Sequence, residues 1–359
     1  MRRFDEAPFL VIWEVTQACD LACLHCRASA ISCRHTQELS TEQGLALLRT
    51  IKTFGEPLKV FTGGDPLKRH DLEQLLRFSV IVGLRTTVTP SATPLLTGDA
   101  VRMIQRCGVA RMAISLDGPD AFSHDGFRRT PGSFATSLRA LESALRIGLE
   151  TQVNTTVTRH NVNDLARIAD KVAEVGARLW SVFFLVVTGR ASREDDLEAQ
   201  EYEDVFKFLY ETAKLAPFDI KTTEAQHYRR YVARRRKAEG AGQSGKGIAY
   251  KDIIPRQAGI NDGKGFVFIS HTGEIYPSGF LPMSAGNVRR DSLVNVYRQS
   301  PMFQRLRDPD SFEGKCGVCE FRHLCGGSRS RAFALTGDAF GSDPRCAYQP
   351  PMRGQPATV

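Results

Sequence analysis

The chain has 359 residues, 42% apolar and 25% charged, the balance of a globular protein with two domains or one large α/β barrel carrying an appendage. A net charge of +8 admits an acidic substrate but gives no dense basic stripe, so no nucleic-acid partner is expected. The opening MRRFDEAPFLVIWEV has no small-residue cleavage site and no apolar run reaches spanning length, so no membrane partner and a cytoplasmic location are expected.

From the start, strand-like and helix-like segments alternate. Apolar runs at 9–15, 58–62, 84–89, 110–116, 150–158 and 180–187 predict buried parallel strands. Helical patterns at 41–54, 70–82, 98–107, 133–147, 163–176 and 199–215 lie between them, with Ser40 and Asn163 as N-caps and Gly83, Gly108 and Gly148 as stops. Six β-then-α units over residues 1–220 predict an α/β fold of parallel strands with right-handed crossovers, a partial or complete barrel. Chemistry in such folds sits at the C-terminal ends of the strands. Residues 221–257 break the alternation with KTTEAQHYRR, the run Arg234 to Lys237, and GAGQSGKG, and read as a basic connector or lid. In the remaining segment, 258–359, GFVFISHTGEIYP predicts a hairpin turning at Thr272-Gly273, and a short helix is expected near 291–299.

The chain holds nine cysteines, too clustered for core filler. Cys19, Cys23 and Cys26 follow the first strand as CDLACLHC; Cys316, Cys319, Cys325 and Cys346 are spaced C-x2-C-x5-C-x20-C; Cys33 and Cys107 stand apart. Three thiolates on one loop leave a 4Fe–4S cube with one iron open to an outside ligand, the mark of a catalytic metal site. Zinc, with His25 as fourth ligand, and simple buried thiols are the alternatives. Four cysteines complete the ligation of a closed cube, with a four-cysteine zinc site as the rival.

EVTQACDLACLHCRA resembles the signature of radical S-adenosylmethionine (SAM) enzymes, which implies that the barrel is the partial (β/α)6 barrel of that family. The resemblance implies a catalytic 4Fe–4S cluster on Cys19, Cys23 and Cys26, with SAM on the open iron through its amino and carboxylate groups. One electron would then split SAM into methionine and a deoxyadenosyl radical that abstracts a substrate hydrogen. An electron donor such as flavodoxin or ferredoxin is implied as partner. His25 would pack near the cluster or the adenine. FTGGDPL is similar to the family's GGEPL motif, which implies that Gly63, Gly64 and Asp65 contact the amino group of SAM. ISLDGPD resembles the S-x-D-G segment, which places Ser115 and Asp117 near the ribose and carboxylate. Asn154 on the fifth strand and the turn Thr188–Ala191 after the sixth are further contacts by the same analogy.

The run from Cys316 to Cys346 resembles a SPASM or twitch domain, which implies an iron–sulfur domain over 258–359. Ser278 and Ser328 stand where that family often has cysteine, and a hydroxyl is a far poorer ligand for iron–sulfur than thiolate. One auxiliary 4Fe–4S cluster is therefore expected, two in all. KTTEAQHYRR and the C-terminal run most resemble the tetrapyrrole branch, acting in alternative heme synthesis and in making denitrifier hemes. Its substrates carry propionates, and the resemblance makes His227, Tyr228, Arg229, Arg230 and Arg329 substrate contacts, the arginines through bidentate bonds. Radical modification of a ribosomal peptide is the second reading. It favours a peptide-recognition domain ahead of the barrel, whereas the first strand here begins by residue 9. A non-catalytic iron–sulfur carrier is the third.

Overall fold

The structure, a computed structural model, describes residues 3–240 and 259–351. The six expected strands form as β1 (Leu10–Glu14), β2 (Leu58–Thr62), β3 (Arg85–Val88), β4 (Arg111–Ser115), β5 (Thr151–Val157) and β6 (Leu179–Phe184). The helices between and after them are α1 (Thr41–Lys52), α2 (Leu72–Ile81), α3 (Gly98–Arg106), α4 (Ala121–Arg128), α5 (Ser133–Arg146), α6 (Leu165–Glu174) and α7 (Ala199–Leu215). Ser40 caps α1 in a reciprocal box with Gln43, a device contributing about 1 kcal/mol. Gly83, Gly108 and Gly148 all take positive φ where their helices stop. Asn163 is not a cap; it lies inside a short 3-10 turn, Val162–Asp164, that leads into α6.

Two elements depart from the sequence reading. A seventh strand, β7 (Asp219–Thr223), pairs parallel with β6 and crosses the expected boundary at 220; α8 (His227–Ala238) follows it. The strand DIKTT buries only Ile220 fully, so it lacks the apolar run by which a buried strand is read. The rest of the expected connector, 241–257, lies outside the described residues. The hairpin forms as β8 (Phe266–Ile269) and β9 (Ile275–Tyr276), but β8 also pairs parallel with β1, from Leu10 opposite Phe266 to Trp13 opposite Ile269. It extends the main sheet because Val267 and Ile269 join the same core as Val11 and Trp13.

The strand order is β7-β6-β5-β4-β3-β2-β1-β8-β9, parallel up to the last antiparallel pair. Both edges stay apart, so the barrel is partial. Outward residues such as Trp13, Phe61, Ile114, Val153 and Trp180 are buried beneath the helices, each large side chain contributing about 1.5–3 kcal/mol. Inward residues Ile12, Val60, Thr87, Asn154, Phe183 and Lys221 are only half-buried. One face of the sheet is thus packed core, and the other lines a lumen. The C-terminal segment adds α9 (Leu293–Gln299), α10 (Pro301–Arg307), α11 (Gly314–Val318) and α12 (Arg329–Thr336). Among the described residues no helix is long and apolar enough to cross a membrane.

Candidate active site

Beyond Glu14 the chain crosses the C-terminal end of the sheet in a loop carrying Cys19, Cys23 and Cys26. Backbone bonds seat it against β2: Gly64 N donates to Thr16 O (2.8 Å) and Asp65 N to Ala18 O (2.6 Å). A Cβ on Gly64 would lie 2.4 Å from Ala18 O, so glycine is needed for this approach. From the other side Arg190 N bonds Cys26 O and its Nε bonds Cys23 O, each at 3.0 Å. Gly189, at φ +63, passes so close that a Cβ would meet Cys26 O at 2.3 Å. The loop is clamped between two turns. Thr188–Ala191 therefore backs the cysteines and does not border the cavity.

The cavity beneath the loop holds ≈ 1130 Å³ of empty space, its open mouth included, ample for a cofactor-sized ligand. The three thiols border it, with Gly63, Gly64, Ser91, Ser115, Asn154 and Phe183 at the strand ends. Each sulfur already accepts an N–H: Cys19 from Leu21 N (3.4 Å), Cys23 from Arg128 Nη1 (3.5 Å) and Cys26 from Ala30 N (3.5 Å). Such donors favour thiolate ligands. Burial pushes the Cys19 thiol above its ordinary range, so deprotonation there calls for a bound cation or metal. All nine cysteines are free; Cys33 is exposed, and Cys107 is buried with its sulfur 3.7 Å from Met103 Sδ.

Two imidazoles in the cavity wall carry nitrogens without partners. His25 lies flat on Phe127 at 4.3 Å, its Nδ1 buried and unpaired. Burial, then the nearby Arg128, drops its pKa to about 3, so the ring is neutral. His124 Nδ1 accepts from Asp117 N (3.1 Å), which puts its proton on Nε2, and that donor also lacks a partner. What sets these two apart from other unpaired buried atoms is that both residues line the cavity, so both nitrogens are free to meet a ligand there.

The predicted acids act differently from expectation. Asp65 is fully buried and does not border the cavity; its carboxylate accepts from Leu67 N, Ser91 N and Thr93 Oγ1 (3.1, 3.2 and 2.7 Å). Its shorter stem turns it into the junction of the β2 and β3 loops. Asp117 is likewise enclosed, accepting from Thr156 N (2.7 Å) and Arg128 Nε (2.7 Å). The side chain that reaches the cavity is Arg128, from α4, a helix outside the six predicted ones. Arg27 was also missed. It borders the cavity, pairs with Glu14, and donates to Gly279 O (3.2 Å), fastening the cysteine loop to the turn that follows β9. Arginine directly after the last cysteine was the available signal.

The second cysteine group is built otherwise. Cys316 lies on α11, Cys319 and Cys325 in the loop after it, and Cys346 returns beside them. Burial, then the Glu320 carboxylate and the neighbouring thiols, push Cys319 up to about 11; burial, then Cys346 and Cys316, push Cys325 higher still. Cys316 accepts from Arg329 Nη2 (3.3 Å) and Asp343 N (3.4 Å), and Cys325 from Gly327 N (3.3 Å). Arg329 is no surface cation for a substrate: it is fully buried, bonds Ala339 O and Gly341 O (3.1 and 2.6 Å), and stacks on Phe312. Arg230 is held by Glu203, and His227 and Tyr228 are buried beside Tyr202 and Phe206 of α7. These four expected substrate contacts are structural. Only Arg229 remains half-buried, with Nη1 3.4 Å from Leu324 O.

Ser278 and Ser328 enclose two carboxylates. Ser328 Oγ donates to Glu224 Oε2 (2.6 Å), Ser278 Oγ lies 3.5 Å from Glu224 Oε1, and Ser330 Oγ donates to Asp262 Oδ2 (2.9 Å). Burial, and then Asp262, raise Glu224 to about 8, so the pair holds a proton at neutral pH.

A sequence model described as the radical SAM superfamily matches residues 13–172, from within β1 to within α6. An AdoMet-dependent heme synthase from Oleidesulfovibrio alaskensis is 41% identical over 97% of this chain and 89% of its own length. A protein of the same description from Methanosarcina barkeri is 36% identical over 98% and 99%. Among solved structures, Streptococcus suis SuiB bound to S-adenosylmethionine superposes with a TM-score of 0.74 at 16% identity, covering 96% of this chain and 78% of that one.

Proposed function

This chain belongs to the radical SAM superfamily, and we propose that it is an enzyme acting on a carboxylated, heme-type tetrapyrrole by hydrogen abstraction from a ring side chain. The observation that carries this is the three-thiol loop over a cavity with unpaired imidazole nitrogens, in a chain alike over nearly its whole length to heme synthases. A bound, reduced 4Fe–4S cluster supplies the electron that splits SAM and yields the hydrogen-abstracting radical. Cys19, Cys23 and Cys26 would hold it, their sulfurs already supplied with N–H donors. Gly63, Gly64, Ser115 and Asn154 offer backbone and side-chain polar groups at the cavity wall, and neutral His25 and the His124 Nε2–H give SAM an acceptor or donor each way. Arg128 brings a cation held in place by Asp117. Asp65 and Asp117 shape the site without touching the ligand. A flavodoxin- or ferredoxin-type donor would deliver the electron.

Cys316, Cys319, Cys325 and Cys346 would hold one auxiliary 4Fe–4S cluster in the C-terminal segment. The likeness of the run from Cys316 to Cys346 to a SPASM or twitch domain supports iron–sulfur there over a four-cysteine zinc site. The serines around Glu224 and Asp262 support one auxiliary cluster and not two. Anaerobically reconstituted protein, reduced and given SAM with iron coproporphyrin, should form deoxyadenosine together with a porphyrin of altered side-chain mass. Deoxyadenosine without any change in the porphyrin would overturn the substrate assignment.

A further inference from the structure

Lys221, Arg229 and Lys264 are cations that the cysteine chemistry does not use. In the β6–β7 register Phe183 stands opposite Thr223, and Ser181 opposite Lys221. Cross-strand neighbours point to the same face, and Phe183 borders the cavity, so Lys221, Ser181 and Thr223 face the lumen too. Lys221 sits two residues, about 7 Å, deeper than the Phe183 level. Arg229, from the first turn of α8, and Lys264, just before β8, both reach the 323–324 backbone: Arg229 Nη1 is 3.4 Å from Leu324 O, and a Cβ on Gly259 would meet both His323 O (3.5 Å) and Lys264 Nζ (3.9 Å). The guanidinium field acts on both lysines. Arg111, on the inward face of β4, adds to that field but is already paired with Glu150.

The other three lack a counter-charge in contact. Among the described residues the Lys221 and Lys264 ammonium groups make no hydrogen bond or ion pair, and Arg229 has only the 3.4 Å bond to Leu324 O. Asp308 and Asp310 act on Lys264 only from a distance. Burial and then like charge bring Lys221 down to about 8, and burial brings Arg229 to about 10. Beside them the hydroxyls of Ser181 and Thr223 are buried and unpartnered. Cations crowded together with unpaired donors are costly unless an anion joins them.

We infer that Lys221, Arg229 and Lys264 form an anion site on the inner face of the sheet that takes a carboxylate of the substrate. The inference rests on the tetrapyrrole reading for the identity of the ligand, not for the existence of the site. Its chemistry is charge-assisted bonding from two ammonium groups and a guanidinium, with Ser181 and Thr223 as neutral donors. A carboxylate bound there fixes how deep a rigid ring can descend, and so which side chain stands under the cysteine loop.

The test compares binding of iron coproporphyrin and its tetramethyl ester to reconstituted wild type, Lys221→Met, Lys264→Met and Lys221→Arg. Loss of one such contact should weaken the free acid by roughly 10- to 100-fold in the methionine variants, while Lys221→Arg retains most of the affinity. The ester should bind all four proteins alike, which also reports that they are folded. Equal binding of the free acid by wild type and both methionine variants would overturn the site. Should wild type bind neither porphyrin, the tetrapyrrole reading fails, and a second readout decides the site alone. In that case, slowing of Lys221 and Lys264 acetylation by added citrate, read by peptide mass, supports the anion site, and unchanged labelling refutes it.

Discussion

The two cysteine sites use the same ligand type to opposite ends. The N-terminal loop presents three thiols to a cavity whose walls leave His25 Nδ1 and His124 Nε2 unpaired. At the C-terminal four, protein groups close on two of the sulfurs: Arg329 and the Asp343 N–H on Cys316, and Gly327 on Cys325, while Arg329 ties down the 339–341 turn. The first site leaves polar atoms of its cavity wall unpaired, whereas the second ties its arginine to sulfur and to turn carbonyls. The difference teaches that what surrounds the sulfurs, more than their number, separates a reaction centre from an enclosed one.

The largest effect should come from the thiols themselves. Alanine at Cys19, Cys23 or Cys26 should reduce deoxyadenosine formation to background and iron from about eight to about four per chain. Alanine at Cys316 or Cys325 should remove as much iron yet leave deoxyadenosine detectable by chromatography. If both sets abolish it equally, the two sites are not functionally distinct.

Next come the supports of the open site. Arg128→Ala strands the buried Asp117 carboxylate, which should cost about 3–5 kcal/mol in a denaturant titration. Gly189→Ala, which sets a Cβ 2.3 Å from Cys26 O, should lower iron occupancy of the N-terminal loop with the C-terminal iron retained. Normal iron content and stability in both would mean that the loop is held by something else.

The smallest effect sharpens the enclosed side. Glu224 is raised from 4.5 to about 8, so its stabilising contribution is complete below pH 4.5 and is lost as pH rises through 8. Glu224→Gln keeps the shape of the protonated acid without the titration. Urea midpoints of wild type should fall between pH 6 and 9, and those of the variant should fall less. Parallel curves would show that the pair does not share a buried proton.

Much of this was readable from sequence where apolar runs or spaced cysteines carry the signal. Strands β1 to β6 and the loop between Cys19 and Cys26 are of that kind. Elsewhere the signal was absent. β7 hides because its inward residues, Lys221 and Thr223, face a lumen and need not be apolar. The helix AFSHDGFR interleaves polar residues and buries only His124 and Phe127, so Arg128 and His124 went unnoticed. Arginines mislead most: Arg230 and Arg329 read as ligand cations but serve Glu203 and backbone carbonyls, because burial and partner cannot be seen in a one-dimensional run of charge. Asp65 fits its motif by position, yet its carboxylate is spent on a loop junction.

The most direct test of the open-versus-closed account is the electron paramagnetic resonance spectrum of the reduced protein with and without SAM. It should be recorded on two double variants that each keep one site, Cys316→Ala/Cys319→Ala and Cys23→Ala/Cys26→Ala. SAM is expected to shift the signal of the first, whose N-terminal cluster has an iron to offer, and to leave the signal of the second unchanged. A SAM-dependent shift in the second, or none in the first, would contradict the account.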